Sequence, residues 1–187
     1  MKHARLATLL AGSVLVAAAA LLRADEKKLE AARPGPEVRR LGYFVGTWTS
    51  EGEIRPNAFI PAGKFKSTDT CEWFPGGFHV VCRSKGDGPA GPTRGLGILA
   101  WSPQGKVYTY SGIDNSGFSE SAQGRVTGNS WTYTSDEKRG GRSFHGRYSM
   151  ITSPDSYTFK YEGSRDAGHW TEIMRGKTTR VVTAEKK

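Results

Sequence analysis

Short turn signals recur along most of this chain at spacings too tight for helices. Ser-Pro-Gln-Gly at 102–105, Asp-Asn-Ser-Gly at 114–117, Thr-Gly-Asn-Ser at 127–130 and Ser-Pro-Asp-Ser at 153–156 each separate two runs rich in Val, Thr, Tyr and Trp. Longer loops fall at Ser135–Gly141 and Ser164–His169. Residues of these types in these clusters mark tight turns between strands, and the runs between them total about ten strands. Links this short join antiparallel neighbours. An open meander leaves two unpaired edges, and closure removes both. The expected fold is all-β: a closed antiparallel up-and-down barrel of about ten strands.

Both cysteines lie in one such unit, Thr70–Cys82, on either side of Pro75-Gly76-Gly77. With the two glycines at the tip, where a hairpin turn needs positive φ, Cys71 faces Cys82 and Trp73 faces Val80. Those four share one face of the ribbon, and Glu72, His79 and Arg83 share the other. Opposed cysteines in an oxidising compartment form a disulfide. A redox pair would be closer in sequence, and a zinc site would need more ligands nearby, so no metal is expected.

The compartment is read from the N-terminus. Lys2, His3 and Arg5 precede an apolar run, Leu6–Leu22, that ends in small residues before Asp25. That is the layout of a secretory signal peptide over 1–24; as a retained anchor the run is short and alanine-rich. The expected location is periplasmic or secreted. A charged linker at 25–37 follows, then the barrel domain at 38–182 and a solvated tail at 183–187. Val38, Leu41 and Val45 recur at helical spacing after Pro36, which predicts a short helix ahead of the first strand. Loss of Lys2, Arg5 and Arg23 with the leader lowers the formal charge from +9 to +6. This basicity allows contact with an anionic surface. Export and the lack of a reading motif argue against nucleic acid.

Alternation of side chains assigns the faces. In the first strand Trp48, Ser50, Gly52 and Ile54 point inward. Across Asp114–Gly117, Ile113 is expected to face Phe118 and Ser111 to face Glu120. Met150 is expected to face Phe159, and Tyr148 to face Tyr161. Phe65, Leu96, Ile98, Ala100, Val107, Trp131, Tyr133, Phe144 and Ile173 extend the apolar lining. Asp69, Glu120, Tyr148, Tyr161, His169 and Arg175 are its polar members. An inward Glu120 is costly in a packed core, so it borders a cavity, pairs with Arg175, or is exposed by a one-residue slip in register. Trp101, Tyr108 and Tyr110 are expected on the outer wall beside Lys106 and Arg125, where they would suit a protein interface.

Leu41–Ile54, Gly76–Val80, Gly95–Gly117, Asp155–Gly163 and His169–Arg180 together resemble the DUF1579 family of lipocalin-like proteins, over most of residues 38–180. The resemblance implies a calycin-type barrel and no established function. Gly46-Thr47-Trp48 is similar to the lipocalin Gly-x-Trp, which implies that Trp48 packs at a closed end beneath a basic residue of the last strand, Arg175 or Lys177. A further resemblance is to nitrobindin-like haem barrels, although Ser50 replaces one glycine of their opening motif. That reading requires an axial histidine inside the barrel, and His169 is the residue with inward parity.

The residues therefore point to a carrier of a small apolar or amphipathic molecule. Trp48, Asp69, Glu120, Tyr148, Tyr161 and His169 are its candidate contacts, and Cys71, Cys82 and Arg175 its structural residues. Haem binding and a non-catalytic envelope interaction module are the alternatives. No cofactor other than haem is suggested, and oligomeric state is not legible. Gly-x-Ser-x-Gly, His-Glu-x-x-His and a glycine-rich strand-to-helix loop are all missing from the sequence. An Asp69–Glu120 acid pair is the one catalytic arrangement conceivable, and an enzyme is the less favoured reading.

Overall fold

The computed structural model describes residues 33–182 apart from 59, 140 and 141; the expected leader, most of the linker and the tail lie outside them. Pro36–Arg40 forms a single α-helical turn (α1) with Pro at its start, Glu37 in its first turn and Arg39 and Arg40 in its last. This charge order suits the helix dipole. A 3-10 turn, Leu41–Phe44, follows. Val38 and Leu41 are buried as expected, while Phe44 is buried and Val45 only partly so.

Ten strands then run in order: β1 (Gly46–Ile54), β2 (Gly63–Trp73), β3 (His79–Gly88), β4 (Gly91–Ser102), β5 (Val107–Asp114), β6 (Ser119–Thr127), β7 (Ser130–Arg139), β8 (Arg142–Ser153), β9 (Ser156–Ser164) and β10 (Thr171–Arg180). Each pairs with the next, and β10 pairs antiparallel with β1, closing the barrel. No edge is left open, as the turn pattern required.

The helical turns cap one end. Leu41 and Val80 have no exposed surface, Thr178 is equally buried, and Trp48 keeps 2%. The Trp48 indole N–H donates to the Phe44 carbonyl at 2.8 Å. A cation does cover its face, but it is Arg180, 4.1 Å from the ring centroid, which also donates to the carbonyls of Val45 and Tyr43. Arg175 and Lys177, the expected candidates, lie on the outer wall, where Arg175 pairs with Glu53 at 2.8 Å and Lys177 sits opposite Glu51. The cause is a shift of register between Glu172 and Met174. A bulge adds one residue, so parity counted from the buried Ile173 is reversed beyond it.

Cys71 and Cys82 oppose each other as expected, their Cα atoms 4.0 Å apart, and form a disulfide; Trp73 opposes Val80. Met150 opposes Phe159 and Tyr148 opposes Tyr161, also as expected.

The faces of β4 and β5 are the reverse of the expectation. Gly112, not Ser111, opposes Glu120, and Tyr110 opposes Ala122. Ile113 is 58% exposed and Ile98 38%. The loop holds one residue more than a tight turn because the Asp114 carboxylate accepts from the Ser116 N–H, the Ser116 hydroxyl and the Phe118 N–H, with Gly117 at φ 84°. Tyr108 is consequently buried beneath α1, its hydroxyl donating to the Glu37 carbonyl, and Trp101 packs on it at 4.9 Å between centroids. The outer aromatic patch that would have favoured an interaction module does not exist.

Inward glycines explain why the reversed faces fit. Gly97 and Gly112 lie beneath the Tyr110 ring, Gly124 beneath Tyr133, Gly146 beneath Tyr161 and Gly176 beneath Phe159. A Cβ would come within 2.8 Å of Tyr110 at Gly97, 2.6 Å of Tyr133 at Gly124 and 2.7 Å of Phe159 at Gly176. Each ring lies against the wall because its neighbouring position has no side chain.

Candidate functional site

The half of the barrel away from α1 gathers polar side chains on its inner face. Asp69 on β2 stands opposite Ser84 of β3. Burial pushes its carboxyl above the ordinary range, and a hydrogen bond with Ser84 partly offsets this. Glu120 accepts from the Ser135 hydroxyl at 3.1 Å, and Ser135 is itself buried. Burial pushes the Tyr110 hydroxyl up to about 12, with the charges of Glu120, Asp69 and Asp114 adding to it. Burial likewise drives Tyr148 well above its ordinary value, with Tyr157, Asp69, Tyr110 and Glu120 contributing. Tyr133 points inward between Gly124 and Tyr148. Its hydroxyl is buried and has no hydrogen-bond partner among the described residues.

The two ends differ in what solvent can reach. Phe65, Asp69, Ser84, Tyr110, Glu120, Tyr148 and Tyr161 are only partly buried, in contrast to the sealed Trp48, Val80 and Thr178. Strand pairing is continuous around the barrel, so inward side chains are reached through the lumen.

Asp69, Glu120, Tyr148 and Tyr161 are thus brought to one interior face. Trp48, paired with Asp69 across β1 and β2, is buried in the packed floor. His169 is a correction. Its side chain is 96% exposed, in the loop between β9 and β10, and its Nδ1 lies 3.0 Å from Asp166. Asp166 gathers the N–H groups of Gly168 and His169, and Ala167 takes φ 57°. Strand alternation does not extend through such a turn. Hydrogen bonds from the His169 backbone and side chain hold the Asp166 carboxyl low, and Asp166 raises His169 in return. His145 pairs with Asp136 on the outer wall and His79 is exposed, so no histidine of the described residues points into the barrel. The haem reading loses the residue it required. Tyr110, Ser84 and Ser135 were missed; Gly97 and Gly112, each needing a ring to cover it, were the available signal for Tyr110.

A separate cavity of about 690 Å³ lies on the outer wall. Its lining includes Thr49, Lys66, Lys85, Arg94 and Lys177 with Glu51 and Asp87. It is mixed in charge.

Asp69 supplies a measurable consequence. Its folded pKa lies above the ordinary 3.8, so as pH rises past 3.8 the unfolded chain releases the proton first and stability falls until the folded group also ionises. Asp69→Asn should match the wild type below that pH and be more stable at pH 7. The gain is bounded by the roughly 1–3 kcal/mol cost of a poorly matched buried polar group. Denaturant titrations at pH 3.5 and 7 measure the difference; a variant less stable than wild type at pH 7 would show that the carboxylate is needed.

The sequence matches, over residues 33–180, a family described as "Protein of unknown function (DUF1579)". No curated protein matches it. Among solved structures, Rv2717c from M. tuberculosis is 11% identical with a TM-score of 0.55, covering 79% of this chain and 99% of that one. The S-type phycobiliprotein lyase CPES from Guillardia theta is 10% identical, TM-score 0.49, over 78% and 93% of the two chains. A de novo designed fluorescence-activating β-barrel is 18% identical, TM-score 0.40, over 75% and 95%. The likeness to Rv2717c is one of fold.

Proposed function

The chain belongs to the DUF1579 family, and we propose that it is an exported binding protein that holds a small, largely apolar or amphipathic molecule in the open half of its barrel. One observation carries this reading. Phe65, Asp69, Ser84, Tyr110, Glu120, Tyr148 and Tyr161 are only partly buried while Trp48, Val80 and Thr178 are sealed, although Ser135, Phe144 and Ile173 are buried as well; the partial exposure of the first group supports a cup. Aromatic walls supply apolar contact, and a few polar groups orient the guest. Glu120, Tyr148, Tyr161 and Asp69 are the proposed polar contacts, joined by Tyr110. The inner-face carboxylates Asp69 and Glu120 bond to the Ser84 and Ser135 hydroxyls, and no histidine of the described residues points inward; binding is the activity proposed. The leader-like N-terminus and the Cys71–Cys82 disulfide support a periplasmic or secreted location.

N-phenyl-1-naphthylamine, a neutral apolar dye, should bind saturably with enhanced fluorescence. Ala122 points inward opposite Tyr110, so Ala122→Trp places an indole in the lumen and should weaken the dye at least about tenfold by excluding it. Ile113→Arg, on the outer wall, should leave binding unchanged. Absence of saturable binding, or equal binding by a folded Ala122→Trp protein, overturns the proposal.

A further inference from the structure

We propose that the outer wall around β3, β4 and β5 docks on an anionic lipid bilayer: aliphatic side chains enter the acyl boundary while a flanking array of bases holds the head groups. This docking is independent of what the lumen holds.

Alternation along three paired strands builds the apolar part. Gly97 and Leu99 are buried on β4, so Leu96 and Ile98 point outward. Across the ladders Val81 stands opposite Ile98, and Leu96 opposite Ile113. Ile98 and Ile113 are exposed, Val81 and Leu96 half-buried. Beyond them β6 presents Ser119 and Ser121. Aliphatic side chains exposed singly are ordinary, whereas four contiguous on neighbouring strands form a patch that marks a contact.

Bases border this patch on the side away from α1. Arg83 lies opposite Leu96, and next along the same strands Lys85 lies opposite Arg94. Lys85, Arg94, Lys66 and Lys177 also line the outer-wall cavity, together with Thr49, Thr68 and Thr179. They reach across five adjacent strands, β10 and β1 to β4, a width of about 19 Å at the usual strand spacing. The acids among them are already engaged. Glu51 pairs with Lys66, Glu72 pairs with Arg83, and the Asp87 carboxylate accepts from the Gly88 N–H. Lys85, Arg94 and Lys177 form no ion pair among the described residues, so the face carries an uncompensated positive charge.

Charge complementarity selects the occupant. A second copy of the chain, docked about a two-fold axis on this face, would set the unpaired bases against their own equivalents. The partner is therefore anionic. Its chemistry follows from the residue types, because protein interfaces are rich in aromatic side chains and poor in Lys and Ser, and this face has the opposite composition. Aliphatic side chains beside Lys and Arg suit a bilayer surface, where the apolar groups enter the boundary and each base near an anionic head group adds attraction. The threonine hydroxyls between the bases can donate to phosphate oxygens.

The experiment is co-sedimentation of the full chain with vesicles of phosphatidylcholine alone or with phosphatidylglycerol added. Partitioning onto the anionic vesicles should be at least about tenfold stronger and should weaken with salt. Lys85→Glu/Arg94→Glu should lose at least about tenfold of that binding, and Ile98→Ser/Ile113→Ser should also weaken it. Ile151→Ser, an exposed outward position on β8, should leave it unchanged. A contact readout separates this face from any attachment through the N-terminus. The native cysteines are paired, so a nitrobenzoxadiazole dye can be placed on Ile113→Cys or Ile151→Cys. With anionic vesicles the dye at 113 should shift to the blue and be quenched by a lipid-borne quencher, and the dye at 151 should not. Equal behaviour of the two dyes, or charge-reversed protein that binds as tightly as wild type, overturns the proposal. Saturable binding to poly-L-glutamate with none to vesicles also overturns it, and assigns the face to an acidic polypeptide instead.

Discussion

Trp48→Ala is expected to lower the free energy of unfolding by about 3–5 kcal/mol. The side chain is buried to within 2% of its surface, and it closes the barrel by linking three otherwise separate elements. Its N–H holds the Phe44 carbonyl of the 3-10 turn at 2.8 Å. Its edges meet Tyr43 and Tyr157 at 5.4 and 5.6 Å between centroids. Its face supports Arg180 of the last strand at 4.1 Å. Truncation empties the floor, removes the donor from a buried carbonyl and takes away the surface on which a guanidinium rests, and each loss adds to the transfer term. Trp48→Phe keeps most of the volume and should cost less than half as much. Because Arg180 also donates to the Val45 and Tyr43 carbonyls, Arg180→Ala should be destabilising in its own right. The double variant should then be less destabilised than the two singles summed, as expected for residues in contact. Urea denaturation of the four proteins measures the cycle. Loss of less than about 1 kcal/mol for Trp48→Ala, or strict additivity, would mean the end is not sealed as described.

The same residues show what could be read from sequence and what could not. Turn signals are local, because Gly and Asn at positive φ and Pro at fixed φ leave few backbone choices. Strand number, antiparallel order and closure followed from them. The Cys71–Cys82 register followed for the same reason, since two glycines fix the tip of that hairpin. Trp48 as floor came with its Gly-x-Trp context. Face assignment failed wherever parity was carried past an extra residue. One such residue sits in the Asp114-capped loop and turned Tyr108 and Tyr110 inward; another sits in the bulge at Glu172–Met174 and turned Arg175 outward. Glu120 kept its inward position only because its own strand, with Ala122 and Gly124 buried beside it, was internally consistent. β4 was ambiguous for a different reason. Leu96, Ile98 and Ala100 are as apolar as Leu99 and Trp101, so alternation of hydrophobicity gave no answer. The inward glycines decide it, by providing the space that the rings of neighbouring strands require. His169 was misplaced because loop residues have no parity.

Removing the disulfide, by Cys71→Ser with Cys82→Ser, is expected to cost about 3 kcal/mol, the value for closing a loop of this length in the unfolded chain. The two residues are 11 apart in sequence and directly opposed on β2 and β3. Native pairing of the strands is set independently by the Gly76-Gly77 turn, with φ of 95° and 74°, and by packing of Val80 against the cap. The double serine variant should therefore fold to the same barrel, with the loss appearing in the denaturation midpoint and not in the spectrum of the native state. Cys71 is 6% exposed, and a serine hydroxyl there adds a polar group to an apolar site, so Cys→Ala at both positions serves as the matched control. Adding reductant to the wild type should bring its stability down to that of the alanine pair and leave that pair unmoved. Thiol alkylation of freshly isolated, denatured protein without reductant should label neither cysteine. Labelling of both, or a wild type whose stability ignores reductant, would show two free thiols and withdraw the main structural support for an oxidising compartment.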